Sequence, residues 1–217
     1  MNIEQLIIPF FVFFFLGIAV LIVLFGIRQK RKLRENFASF AEKLGCTAQI
    51  PQGYFGGFPS LTGNYRKRPL SVYMFTRSSG SGKSRSTTTY TAFKIDVNNS
   101  ENFEFNIFEQ GFFTTIATKL GMQDIQIGDD VFDKEFIIKS NNEPMVINLL
   151  THGIKQQFME MAERYPAFGI KLSGQQFYYE TANTLASGAF AEKLETLINF
   201  IGDLADRVEE IQGKRWR

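Results

Sequence analysis

The chain of 217 residues contains one cysteine and one histidine. A disulfide framework is therefore excluded, as is a metal site built from several cysteines or histidines. Phenylalanine is the compositional outlier at 24 residues, six of them (Phe10, Phe11, Phe13, Phe14, Phe15, Phe25) within the first 27. The formal net charge is +2, but it is unevenly placed: residues 35–217 hold 19 basic against 21 acidic side chains. A domain that neutralised several nucleic-acid phosphates would carry the opposite balance.

Residues 6–27 form an uncharged run, LIIPFFVFFFLGIAVLIVLFGI. As a helix it would extend ~33 Å, enough for a hydrocarbon core of ~30 Å. A cleaved signal peptide would have a basic start, a shorter apolar core and a small-residue cleavage site. This chain starts Met-Asn-Ile-Glu, and Arg28 follows the run directly. The expectation is a transmembrane helix over 6–27 with residues 1–5 outside. Arg28, Lys30, Arg31, Lys32 and Arg34 follow within seven residues, against Glu4 on the other side. The positive-inside rule then places the N-terminus outside and the rest of the chain in the cytoplasm.

A basic juxtamembrane helix is expected over 28–45. Leu33, Phe37, Phe40, Ala41 and Leu44 recur at helical spacing, and Gly45 follows as a C-cap. From Cys46 the period falls to two. Ser60–Tyr65 and Leu70–Phe75 flank Arg66-Lys67-Arg68-Pro69, which reads as a hairpin turn. Thr88–Val97 and the alternating Phe103, Phe105 and Ile107 read as strands joined by a turn at Asn98-Asn99-Ser100. Together they predict a meander of four or five antiparallel strands, apolar on one side. Phe112–Leu120 reads as a short helix, and Phe136 and Ile138 mark a further strand. Pro144 opens a helix to about Arg164 with the stripe Ile147, Leu150, Ile154, Phe158 and Met161. A hairpin centred on Gly174 follows. The last helix, about 188–212, places Phe190, Leu194, Leu197, Ile201, Leu204, Val208 and Ile211 at alternating spacings of four and three. That seam suits a second helix from a partner or another copy, while Ile198 and Ala205 broaden it for packing on the chain's own sheet. The fold class is α+β, with an antiparallel sheet covered by helices over residues 46–212 and a basic tail at 213–217.

Four features resemble chemistry. Residues 77–84, Arg-Ser-Ser-Gly-Ser-Gly-Lys-Ser, come close to a phosphate-binding loop, but Arg77 stands where the first glycine belongs and strand-forming residues follow. Asp129, Asp130, Asp133 and Glu135 could hold a hard cation, or could form a solvated, capping turn; the calcium-loop spacing is absent. His152 falls opposite the apolar stripe of its helix, with no nucleophile or carboxylate at local spacing. Cys46 reads as a small apolar residue at the start of a strand. No catalytic, cofactor-binding or metal-ligating residue is assigned.

Two stretches carry a resemblance. Leu61-Thr-Gly63-Asn-Tyr65-Arg-Lys-Arg68-Pro-Leu70 resembles a Leu-x-Gly-x-Tyr-x-x-Arg-x-hydrophobic element, and Gly128-Asp129-Asp-Val-Phe132-Asp133-Lys-Glu-Phe136-Ile137-Ile138 a Gly-Asp-x-x-Phe-Asp-x-x-Phe-hydrophobic element, of uncharacterised bacterial proteins with a single membrane anchor. Leu149-Leu150-Thr151 matches a third element of theirs. The resemblance implies an α+β domain behind a membrane helix, in a bacterial inner membrane, and brings no assigned activity. The resulting expectation is a non-enzymatic, membrane-tethered interaction or scaffold module, meeting the lipid bilayer and a protein partner or second copy through the 190–211 helix. The alternatives are a binder of lipid or another apolar small ligand and, third, a membrane-bound enzyme using Asp129–Asp133.

Overall fold

The helical spacing of Leu33, Phe37 and Phe40 continues the apolar run before it. In the computed structural model, which describes residues 3–53, 56–111 and 124–213, the two form one helix, α1 (Ile3–Lys43). It ends where predicted. Gly45 adopts φ +65°, its N–H bonds to the Glu42 carbonyl at 3.0 Å, and the Cys46 N–H bonds to the Ala41 carbonyl at 2.8 Å. This paired closure satisfies the last carbonyls, and glycine enters the left-handed region without a Cβ clash.

Among the described residues nine strands follow: β1 (Thr47–Gln49), β2 (Ser60–Tyr65), β3 (Arg68–Ser79), β4 (Ser86–Asp96), β5 (Phe105–Glu109), β6 (Asp124–Ile125), β7 (Phe136–Ser140), β8 (Gly169–Ser173) and β9 (Gln176–Thr181). They form one antiparallel sheet in the order β1-β2-β3-β4-β9-β8-β5-β7-β6. The α+β class is as expected, but the meander is not continuous. The β8–β9 hairpin, which comes late in the chain, lies between β4 and β5. The Asn98–Ser100 segment is therefore a crossover and not a hairpin turn. Asn99, 1% exposed, organises it: its amide nitrogen donates to the Phe103 and Gly174 carbonyls, and its oxygen accepts from the Phe103 N–H and the Gln212 side chain.

Alternation along the strands sets the buried face. One cross-strand row runs Leu70–Ile95–Phe177–Leu172–Phe105 across five strands, and each of its members is buried. Helices cover this face: α2 (Asp130–Glu135), α3 (Glu143–Leu149), α4 (His152–Arg164) and α5 (Gly188–Ile211). Phe158 of α4 is the centre of an aromatic cluster, with ring centroids 5.1–5.8 Å from Phe132, Phe136, Phe168 and Phe200. The edge-to-face geometry of these pairs aligns the positive ring rims with negative faces.

The single helix expected from Pro144 to Arg164 is two helices. The chain breaks at Leu150–Thr151, and the Thr151 side chain accepts from the Ile154 N–H to cap α4. The break rotates the stripe: Met145, Val146 and Leu149 are buried, and Ile147 is 46% exposed. The β2–β3 turn is also tighter than expected. Only Arg66 and Lys67 form it, while Arg68 and Pro69 are already paired in β3. The helix expected at 112–120 and the tail from 214 lie outside the described residues.

Candidate functional site

α1 divides into two regimes. Phe10 to Ile27 project outward, with Phe13 71% exposed, and α1 is the one helix among the described residues long and apolar enough to cross a membrane. Ten residues past Ile27, about 15 Å along the axis, Phe37 is fully buried, followed by Phe40 and Ala41. Unbroken helix therefore joins the apolar run to the domain core, and the turns between them lie beside the domain.

Those turns form the most distinctive surface. Val23, Ile27, Lys30 and Arg34 fall on one helical face, apolar for two positions and basic for the next two. Facing them are loop residues 51–53 and 56–59. The Arg34 guanidinium donates to the Gly53 carbonyl and ties the loop to the helix. The loop is tightly folded at Gly56, where a Cβ would lie 2.6 Å from the Gln52 carbonyl oxygen. Between helix and loop lies a groove of about 590 Å³ lined by Val23, Ile27, Lys30, Arg31, Arg34, Glu35 and Gly53. A second groove of about 240 Å³ adjoins it, bounded by Lys30, Leu33, Arg34, Gly56, Gly57, Phe58 and Pro59. Lys30 and Arg34 line both and are half-buried, whereas Arg28 and Lys32 point into solvent. The five juxtamembrane cations, equivalent in sequence, are thus sorted by the fold. Arg31 is engaged with Glu35 through a 2.7 Å hydrogen bond.

A second polar assembly was not legible in the sequence. The β2–β3 turn seats on α5, where Gly202 leaves room; a Cβ there would meet the Tyr65 ring at 2.9 Å. The Tyr65 hydroxyl bonds Asn199, and Arg66 reaches Asp203 at 2.6 Å and Asp206 at 3.0 Å. Arg68, 2% exposed, forms a fork on Glu209 (3.0 and 2.6 Å) and also donates to Asp206 at 2.6 Å. Arg66 and Lys67 both hold positive φ, 49° and 66°, an arrangement that costs non-glycine residues energy. The ion pairs hold the turn there. The adjacent hollow of about 670 Å³ balances Arg66, Lys67, Arg68 and Arg207 against Asp203, Asp206, Glu209 and Glu210. It therefore presents no excess charge of either sign.

Asp133 accepts from the Ile127, Gly128 and Asp129 N–H groups at 3.1–3.2 Å. Asp129 caps α2 through the Phe132 N–H and pairs with Lys155. The Lys155 bond, with help from that N–H, draws the Asp129 carboxyl below its ordinary range. Among the described residues, no group of three or more His, Cys, Asp or Glu side chains is placed to hold a metal. Residues 77–84 lie where the long β3–β4 hairpin reverses, with a single 3-10 turn at Gly82–Ser84. His152 is exposed at the start of α4. Cys46 packs against Gly63, and burial pushes its thiol pKa up. The α5 seam is buried from Phe190 through Val208 in the chain's own core. That apolar face is not available to a second helix.

No family model matches the chain, and no curated protein matches it. Its fold is similar to the crystal structure of the mycobacterial trehalose monomycolate transport factor A, TtfA. The TM-score is 0.51 at 13% sequence identity, over 82% of this chain and 96% of that one. At that identity the likeness shows the fold alone.

Proposed function

We propose that the chain is a single-pass, membrane-tethered module without chemistry of its own, whose domain sits against the cytoplasmic face of a bacterial inner membrane and serves there as a scaffold or docking element. The observation that carries this reading is α1: one unbroken helix with outward-facing apolar side chains at 10–27 and Phe37, Phe40 and Ala41 in the domain core. A flexible tether would only restrict the domain to the membrane's vicinity. A helix continuous with the core also fixes which face looks at the bilayer. The basic residues after Ile27 support the inward orientation. The name of the fold neighbour, a transport factor for trehalose monomycolate, supports a lipid-related role for that module. With the α5 seam buried, a protein partner would engage another surface.

The test uses the lone cysteine. In a Cys46→Ser background, Asn2→Cys and Glu101→Cys are labelled with a membrane-impermeant maleimide in intact spheroplasts and after lysis. Labelling of the position-2 thiol before lysis, and of the position-101 thiol only after it, is the expected result. Labelling at position 101 in intact spheroplasts would overturn the orientation.

A further inference from the structure

We infer that the groove that α1 forms with Gly53 and residues 56–59 holds the headgroup of one anionic phospholipid, with its phosphate between Lys30 and Arg34 and an acyl chain along Val23 and Ile27. This deepens the membrane-tethered reading and rests on it. Three observations carry the assignment. The first is the order of the lining: Val23 and Ile27, then Lys30 and Arg34, on one helical face. A lipid in the leaflet presents tail and then phosphate in that same order to a helix leaving the hydrocarbon. The second is the sorting of charge. Lys30 and Arg34, about 5–6 Å apart at Cβ as i and i+4, are recessed at the junction of two grooves, and Arg28 and Lys32 are not. One phosphate can bridge such a pair, and the planar guanidinium fits two of its oxygens. The third is the state of the remaining charged groups. Among the described residues Glu35 is the one carboxylate lining the groove, and Arg31 engages it at 2.7 Å. The lining retains a net positive charge facing the leaflet.

A diffuse basic belt would attract anionic lipid as well, at about a fivefold gain per cation whichever one it is. A built site is distinguished by a difference between cations. The experiment is native mass spectrometry of the full-length chain in detergent, titrated with phosphatidylglycerol or phosphatidylcholine. One phosphatidylglycerol retained per chain, with phosphatidylcholine not retained, is expected. Lys30→Gln/Arg34→Gln should weaken retention at least about tenfold more than Arg28→Gln/Lys32→Gln, which removes the same charge. Lys30→Gln alone leaves the Arg34–Gly53 bond in place, so its weaker retention cannot be ascribed to a displaced loop. Equal losses in the two double variants, or equal retention of both lipids, would overturn the inference. Flotation with phosphatidylcholine vesicles separates the two levels. A chain that floats without selecting phosphatidylglycerol sinks the headgroup site alone, and a chain that does not float sinks the tether and the site together.

Discussion

Arg68→Met is the perturbation whose size follows most directly from the structure. Arg68 and Glu209 are 2% and 1% exposed and joined by two hydrogen bonds of 3.0 and 2.6 Å. Glu209 also accepts from the Asn98 N–H at 3.0 Å, which ties the β4–β5 crossover to α5. Methionine fills a similar volume but takes the guanidinium fork away from the buried carboxylate, which keeps that backbone donor. Breaking a buried pair from one side costs about 3–5 kcal/mol. For a chain of this size that is a fall in Tm of roughly 6–20 °C. Arg68→Met/Glu209→Gln also removes the carboxylate charge and keeps an acceptor for Asn98, so it should recover about half the loss or more. The assay is thermal unfolding by circular dichroism of the detergent-solubilised full chain. A single variant costing under about 1 kcal/mol, or a double variant as unstable as the single, would refute the claim that Glu209 is held by Arg68.

Three further outcomes are expected. Gly63→Ala places a Cβ 2.5 Å from the Cys46 sulfur and 2.9 Å from the Cys46 Cα; it should destabilise by about 1–3 kcal/mol, and Cys46→Ala should not rescue it, because the backbone contact remains. Thr151→Ala removes the cap that separates α3 from α4 and should cost about 1 kcal/mol in the same unfolding assay; no change would show that the break at Leu150 is maintained without the cap. Burial pushes the Tyr165 phenol up to about 12, and the Tyr178 and Tyr179 phenols are also raised, in each case chiefly through desolvation. In the unfolded chain these groups release protons from about pH 10, so stability is intact below that pH and falls as pH rises toward 12. Absorbance titration should show three of the seven phenols ionising together with unfolding, and ionisation of all seven in the folded chain near pH 10 would contradict the burial of these three.

What local pattern specifies was readable in the sequence. The apolar run, the Gly45 cap, the alternation of Leu70, Val72 and Met74, and the Gly174 hairpin each depend on neighbours within a few residues, and each is found in place. What depends on distant partners was not. The β8–β9 hairpin pairs with β4 and β5 across 61–90 positions, and no period in either segment encodes that order. The split at Leu150–Thr151 was hidden because the stripe tolerates a one-residue rotation. The same limit applies to the candidate site. The five juxtamembrane cations were visible as a topology signal, but the recess of Lys30 and Arg34 depends on residues 51–53 and 56–59 folding back on α1. The Arg66 and Arg68 clasp joins residues some 137–141 apart, and the turn that presents it reads in sequence as four basic and proline residues. The acidic run from Asp129 left a cation site and a capping turn both open, and the bonds that Asp129 and Asp133 make to backbone N–H groups and Lys155 depend on the folded loop.

The claim that α1 holds this groove at the bilayer surface can be measured as a depth. Lys30 and Arg34 lie three and seven residues beyond Ile27, about 5–10 Å along the helix, and Phe58, 41% exposed, lines the groove with them. A nitroxide on Phe58→Cys in the Cys46→Ser chain, reconstituted in vesicles, reports its distance from the membrane by power saturation with oxygen and a water-soluble nickel chelate. A label within the headgroup layer is expected; one with the collision profile of bulk water would contradict the placement of the domain on the membrane.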